Sequence, residues 1–506
     1  MLLNSDTIEK WGIFEIELKA KTEFDNPFTQ GELAAKFVIG GKSVNVFGFY
    51  DGDNIWRIRF MPQEEGEYSF LISSNMPEFT GQTGSFTCMP PSEGNHGPVR
   101  VYKKYHFAYD DGEPFFVLGT SCYAWTTRSD EMRKQTLESL SQYAFTKLRF
   151  GFFPKRLQGL PNIDITYDPP ILPYEGERGH LDLQRFNPVY FRRFEEDVRA
   201  LLNMGIEADI MLFHFYDFGF WGINPGLTAE EDLLYVRYMA ARLSAFRNIW
   251  WCISNEYDLL LTPLSEREHI IEAVSNQKDW DAIGKQLKAA DPYNHLISIH
   301  NFTVGRVAGY DWLSHTSFQN GNTYSLVLES KRRYGKPAIA DEYGYEGNIF
   351  GNAWGDRTPE EETLRHMQAI MAGGYASHGE SYIVGGNKRD IFWAYGGKMV
   401  GKSAAKLSYF RHIIESCPFT DMDPEIPMMH ESGGLCLAKG SDVFLMFFRY
   451  PDKRGGFNFF TTDMRKNYEM TLYDLWNCVE LEKRIVSKGF VEVYMPDWAV
   501  IKLEAI

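Results

Sequence analysis

Over the first ninety residues apolar and polar positions alternate in short runs. WGIFEIELKA, AAKFVIGG, NIWRIRFMP and GEYSFLISS are separated by clusters of Gly, Asn, Asp and Pro. Period-two patterning broken at such intervals predicts a β-sandwich. MPPSEGNHGPV, residues 89–99, is rich in Pro and Gly and marks a boundary. Beyond it the rhythm changes. Apolar runs of strand length now alternate with amphipathic helical segments. The strand candidates are EPFFVLGTS (113–121), FTKLRFGFF (145–153), IEADIMLFHF (206–215), NIWWCISNEYD (248–258), HLISIHNF (295–302), YDWLSHTSFQ (310–319), KPAIADEYGY (336–345) and GYASHGESYIV (374–384). Helices are expected over 131–143, from Pro188 to Gly205, around 229–246, at WDAIGKQLKAADP, near 359–372 and over 402–416. A long loop separates the second strand from the helix at Pro188. Eight strand–helix units over about 320 residues predict a (β/α)8 TIM barrel with long loops. A doubly wound sheet is the runner-up, but no Gly-rich phosphate turn follows the first strand. From about residue 418 the pattern returns to β. The expected fold class is α/β: an N-terminal β-sandwich (1–92), a barrel (97–416) and a small C-terminal β domain (418–506).

Barrels keep their reactive groups where strands end and βα loops begin. Strand one ends near Ser121, Tyr123 and Trp125, strand two at Arg149, and strand three at His214, Tyr216 and Asp217. Strand four ends at Asn255 and Glu256, five at His300 and Asn301, and six near Gln319. Strand seven ends at Asp341 and Glu342; strand eight leads to His378, Glu380 and then Trp393. Two carboxylates can cleave a glycosidic bond, one protonating the leaving oxygen and the other attacking the anomeric carbon. Retention needs them about 5–5.5 Å apart. Glu256 and Glu342 are 86 positions apart, as expected for three βα units of roughly 30 residues each. An Asn-Glu dipeptide alone says little, since a strand-end acid often caps the next helix. Two apolar strands three units apart, each ending in Glu, with an Arg earlier, say much more.

That pattern resembles glycoside hydrolase clan A, whose retaining barrel enzymes carry acid/base and nucleophile on strands four and seven. The domain order and PFFVLGTSCYAW resemble bacterial proteins with a β-sandwich, an apiosidase-like barrel and a C-terminal β domain. The resemblance implies Glu256 as acid/base and Glu342 as nucleophile. It implies that Asn255 contacts the hydroxyl next to the anomeric carbon, that Arg149 keeps Glu342 ionised, and that Trp393 forms a platform under the sugar. Two departures stand out. The clan's His-x-Tyr near strand six is missing: His315 comes too early and Gln319-Asn320 stand near its place, which leaves Tyr324 as a candidate for the tyrosine that supports the nucleophile. Apiosidases proper tend to carry Asp where Glu256 stands, so apiose specificity is not carried over.

Other strand-end residues have bland readings beside the functional one. His214 and His300 are sugar contacts or satisfied core histidines; as metal ligands with Asp217 they lack HxH or HExxH spacing. Trp125 and Gln319 are also candidate substrate contacts. Asp258 orients a neighbour or caps a loop, and strand alternation turns Asp341 away into the barrel wall. DFGFWGINPG (217–226) lines the cleft or packs on a neighbouring loop or subunit.

Composition narrows the choice. Aromatics make up 15% of the 506 residues, which suits flat sugar-binding faces as well as a β-rich core. A net charge of −16 argues against a nucleic-acid partner. Six scattered cysteines without CxxC spacing argue against a disulfide framework. MLLNSDTIEKWG lacks a leader pattern and no run is long enough to span a membrane, so the expected location is the cytoplasm. The expected activity is therefore hydrolysis of oligosaccharides or glycosides, exo-acting on small carbohydrates, without cofactor or metal and with no membrane partner. A homo-oligomer through the β domains is compatible with the sequence. Two alternatives are a non-catalytic carbohydrate-binding barrel and a metal-dependent barrel isomerase or hydrolase.

Overall fold

The computed structural model describes residues 1–155, 169–214, 221–223, 227–258, 278–302, 309–349, 354–384, 391–425, 434–449, 456–461, 466–487 and 490–506. Tyr216, Asp217 and most of the 217–226 loop lie outside the described residues.

Between Leu2 and Met89, eight strands form one sheet that folds over on itself. Alternation does the folding: Phe14, Ile16 and Leu18 are buried, while Glu15 and Glu17 point out to Arg57 and Arg59. Phe14 from one half stacks on Phe86 from the other at 4.0 Å, and Phe37 on Phe60 at 4.0 Å.

The next eight parallel strands are β1 (Leu118–Ser121), β2 (Lys147–Gly151), β3 (Glu207–Phe213), β4 (Ile249–Ser254), β5 (Leu296–Ser298), β6 (Thr316–Gln319), β7 (Ala338–Glu342) and β8 (Tyr375–His378). Each pairs with its sequence neighbour, β8 pairs with β1, and a bridge from His300 to Ser317 joins β5 to β6. The barrel is closed. Its helices carry the expected signals: Pro188–Asn203 starts on an Asn187 cap with Pro at its first position, and Ala229–Leu243 and Pro359–Met371 start on Thr–Glu capping boxes. Three barrel segments differ from the sequence reading, the first being an additional helix, Thr323–Tyr334, between strands six and seven. The long loop after β2 contains a hairpin, Tyr174–Glu177 with His180–Phe186. Strand six starts only at Thr316, because Trp312 packs instead over Gly284 of helix Trp280–Ala290 and donates to Asp281.

A small sheet, Val99–Tyr102, His106–Tyr109 and Pro114–Phe115, closes the bottom of the barrel. Its Phe107 is fully buried against Trp250, Tyr375 and His315. Above this stopper lies a layer of charge. Lys147 Nζ donates to Asp209 at 2.6 Å and to Asp341 at 2.8 Å, and Asp341 also accepts from Ser317 and Ser377. Asp341 therefore faces the barrel axis, not the wall. β7 pairs out of step with β6 between Phe318 and Gln319, so the last two residues of β7 both reach the interior side. The two tryptophans of the fourth strand diverge: Trp250 packs on the stopper, and Trp251 turns outward and donates to Asp291.

The N-terminal sheet is fastened to the barrel by a buried ionic network. Arg242 donates to Glu195 and to Asp51, and Arg59 donates to Glu195 and to the Arg242 carbonyl. Burial opposes ionisation of Glu195, but Arg242 and Arg59 outweigh it and hold the carboxyl at about 2. The C-terminal region is an antiparallel sheet built on Leu435–Lys439, Val443–Arg449, Tyr468–Asp474, Val479–Val486 and Trp498–Ala505. It shares the barrel's apolar core through Leu437, Phe447 and Val500, and Lys502 donates to the Ser416 carbonyl. All six cysteines are free thiols. Among the described residues no helix is long and apolar enough to cross a membrane.

Candidate active site

The charged groups at the barrel mouth come from strand ends. Glu342 is the last residue of β7 and is 3% exposed. Its Oε1 accepts from the Tyr123 hydroxyl and from Arg149 Nη1 at 3.1 Å, and its Oε2 from Trp354 Nε1 at 3.3 Å. Arg149, inward on β2 and fully buried, also donates through Nη1 to Tyr123 at 2.9 Å and through Nη2 to Asn255 Oδ1. One guanidinium thus joins the end of β7 to the end of β4 in a forked geometry that lysine could not supply. Burial pushes the Glu342 carboxyl up to about 7, with Tyr345 and Trp354 pulling it down. Tyr123, Arg149 and Trp354 all offer it protons, so the carboxylate is the form whose lone pairs they fill.

Glu256 stands two residues past β4 and is half-buried. Its Oε1 accepts from Gln319 Nε2 at 2.7 Å. Gln319 ends β6 in register with Glu342 and also donates to the Asn301 carbonyl. Both carboxyls therefore touch one hydrogen-bonded ring of strand ends, and both raise the proton affinity of the buried Tyr345 hydroxyl, after burial itself. Glu256 has φ of 47°, in the left-handed region that a residue with a Cβ adopts at a cost of about 1–3 kcal/mol. The surrounding bonds hold it there: Asn255 N–H donates to the Phe213 carbonyl, and Tyr257 N–H to the His300 carbonyl.

The remaining predicted positions divide into two groups. Trp393 reaches the mouth: it is half-buried, 5.3 Å from Tyr123 and 5.0 Å from Tyr345 between ring centres. His300 is there too, with Nε2 3.8 Å from Glu342 Oε1 and Nδ1 2.9 Å from Ser317 Oγ. Burial and then Arg149 hold it well below the usual imidazole range, so it is neutral. His214 sits in the wall against Gly151, with Nε2 3.0 Å from the Phe153 carbonyl. Of its two readings Asp258 shows the loop-capping one, accepting from Phe302 N–H.

Two residues are elsewhere. Trp125 lies in the short turn Trp125–Thr127, fully buried against Phe150 on the outer side of β2. The turn after β1 reverses the alternation, and Tyr123, not Trp125, faces the mouth. Tyr324 is the second residue of helix Thr323–Tyr334 and packs on the Phe318 cluster, away from Glu342. Tyr123 takes the place expected of it. The signal that could have found Tyr123 was alternation itself, with Ser121 and Tyr123 on one face. Trp354 and Tyr345 lie in the loop after β7 and carried no such signal. Glu380 serves the fold: it accepts from Val400 and Gly401 N–H ahead of helix Ser403–Glu415. Among the described residues no group of three or more His, Cys, Asp or Glu could hold a metal ion.

Fold and site together define a class, the glycoside-hydrolase barrels flanked by β domains. The description "Apiosidase-like, catalytic domain" matches residues 102–419, and a domain of unknown function, DUF5060, matches residues 7–75. The chain belongs to the apiosidase-like family. It is similar to a crystal structure of a candidate glycoside hydrolase from Bacteroides vulgatus ATCC 8482, with 31% identity, a TM-score of 0.86, and coverage of 99% of this chain and 100% of that one. A family 5 glycoside hydrolase from Bacteroides vulgatus ATCC 8482 shares the fold at 14% identity and a TM-score of 0.60, covering 81% of this chain and 94% of that one. No curated protein matches the chain.

Proposed function

We propose that this protein is a retaining glycoside hydrolase in which Glu342 attacks the anomeric carbon and Glu256 protonates the leaving oxygen. Membership of the apiosidase-like family supports hydrolysis of glycosides. The observation that carries the finer reading is Arg149, which binds Glu342 and the neighbour of Glu256 with the two arms of one guanidinium. A cation and a tyrosine hydroxyl on Oε1 orient that carboxyl and favour its ionised form against the burial that pushes it up, as attack requires. Glu256 is more exposed and bonded to an amide, which suits a group that hands a proton to the leaving oxygen and then takes one from water. Asn255 and Trp393 serve as hydroxyl contact and platform in this reading. Deep burial of Glu342 and Asn255 favours short substrates that enter end-on, hence exo action.

The test is a panel of 4-nitrophenyl glycosides, covering β-hexosides, β-pentosides, α-L-arabinofuranoside and β-apioside, run with the wild type, Glu256→Gln and Glu342→Ala. Proton NMR of the first product anomer should give retention, and azide with Glu342→Gly should give the inverted glycosyl azide. An inverted first product, or near-normal rates in both variants, overturns the mechanism.

A further inference from the structure

A cavity of about 440 Å³ lies between the N-terminal sheet and barrel helix Ala229–Leu243 and shares no residue with the mouth. The volume suits a small ligand. Its apolar wall is Phe28, Phe47, Tyr50 and Leu234, and Phe47 leaves 43% of its surface open. Two charged residues, the exposed Glu32 just ahead of strand Leu33–Ile39 and Arg237 from the helix, also line it. Among the described residues neither the Arg237 guanidinium nor the Glu32 carboxylate makes an ion pair or hydrogen bond. Yet the backbone of Glu32 is tightly held. Its N–H donates to Asn75 Oδ1 at 2.9 Å, its carbonyl accepts from Ser74 Oγ at 2.6 Å, and Asn75 Nδ2 donates to the Gln30 carbonyl at 2.7 Å. The opposite wall is fixed as well, by Tyr238 donating to the Tyr50 carbonyl at 2.7 Å. Both walls are hydrogen-bonded in place, and the two charged groups carry no ion pair among the described residues.

We infer that this cavity is a second carbohydrate-binding site, distinct from the barrel mouth, that holds a neutral sugar between Glu32, Arg237 and Phe47. The chemistry selects the class. An anion would meet Glu32 and a cation would meet Arg237, so a ligand of either single sign is opposed. A neutral polyhydroxyl ligand satisfies both: one hydroxyl donates to the carboxylate, its neighbour accepts from the guanidinium, and the C–H face of the ring lies on Phe47. A zwitterion such as a free amino acid is the competing class, and the test separates them.

Cellotriose, mannotriose, xylotriose and arabinotriose, with leucine as the zwitterion arm, are titrated calorimetrically into full-length Glu342→Ala. At least one trisaccharide should give binding beyond the single mouth site. Adding Arg237→Ala or Glu32→Gln should weaken that second event by about tenfold or more, the scale of a lost charged hydrogen bond. Phe47→Ala, on an exposed face, should do the same. In the otherwise wild-type chain these substitutions should leave aryl-glycoside turnover within about twofold, because surface changes away from the mouth perturb little. No second event with any trisaccharide, a second event untouched by all three substitutions, or saturation by leucine in place of sugar overturns the assignment. None of these readings depends on hydrolysis, so they stand or fall apart from the mechanism at the mouth.

Discussion

Lys147 and Arg149 are both fully buried cations, two residues apart on one strand, and each reaches across to β7. Lys147 meets two aspartates deep in the barrel, with Ser317 and Ser377 filling the remaining lone pairs of Asp341. Asp341 there is filled by Lys147 and two hydroxyls, Asp209 is held through Oδ2 with its buried Oδ1 left over, and the layer is sealed below by Phe107. Arg149, one layer higher, is bound to groups that also face the opening: a carboxyl, a tyrosine and the asparagine beside half-exposed Glu256. Buried charge inside a barrel is therefore no guide to chemistry by itself. What separates the two layers is whether they adjoin groups open to solvent, as the upper one adjoins the partly exposed Glu256 and Trp393.

Substitutions should split the layers cleanly. Glu342→Ala should lower kcat by about 10⁴-fold or more with folding retained, the scale of losing a covalent nucleophile. Glu256→Gln should cost about 10²–10⁴-fold on substrates with poor leaving groups, the usual worth of a general acid, and far less on activated aryl glycosides. Lys147→Met should act on the other axis. It leaves two buried aspartates uncompensated and should cost about 3–5 kcal/mol in denaturant unfolding. If unfolding free energy is unchanged while kcat collapses, the lower layer is catalytic and the contrast fails. Tyr123→Phe removes a donor from a charged acceptor and should lower kcat/KM by about 10–100-fold, corresponding to 1.5–3 kcal/mol. Tyr324→Phe should change it less than about twofold, since its ring sits in helix Thr323–Tyr334 against the Phe318 cluster; equal effects would return Tyr324 to the site.

The smallest effect concerns pH. The proposed mechanism needs Glu342 ionised, and its carboxyl stands at about 7. Activity should rise with pH through that value and be lost below it, as the proton returns. Arg149→Met removes a cation that favours the ionised form and should move the ascending limb of kcat/KM to higher pH. A limb that stays put would assign it to another group.

The barrel was legible from its rhythm because eight apolar runs with capped helices between them leave few other folds. Glu256, Glu342, Arg149 and Asn255 were legible because they terminate such runs. What failed was orientation past a strand end. The turn Trp125–Thr127 put Trp125 in the core while Tyr123 stayed at the mouth, and a slip in the pairing of β6 with β7 brought Glu342 to the same side as Asp341. Neither leaves a mark in residue type. Trp354 was beyond reach for another reason: it comes to Glu342 from a loop without periodicity.

The stopper also limits how this enzyme can be taken apart. A fragment beginning at Phe116 would lack Phe107 and open Trp250, His315 and Tyr375 to water. One beginning at Gly97 would keep the stopper but strip Asp51 and Arg59 from Arg242 and Glu195. In design, the barrel is therefore not a portable cassette. Chimeras that exchange its loops should inherit the N-terminal sheet with it, and shuffling at the Pro- and Gly-rich boundary should yield unstable products even where the linker looks permissive.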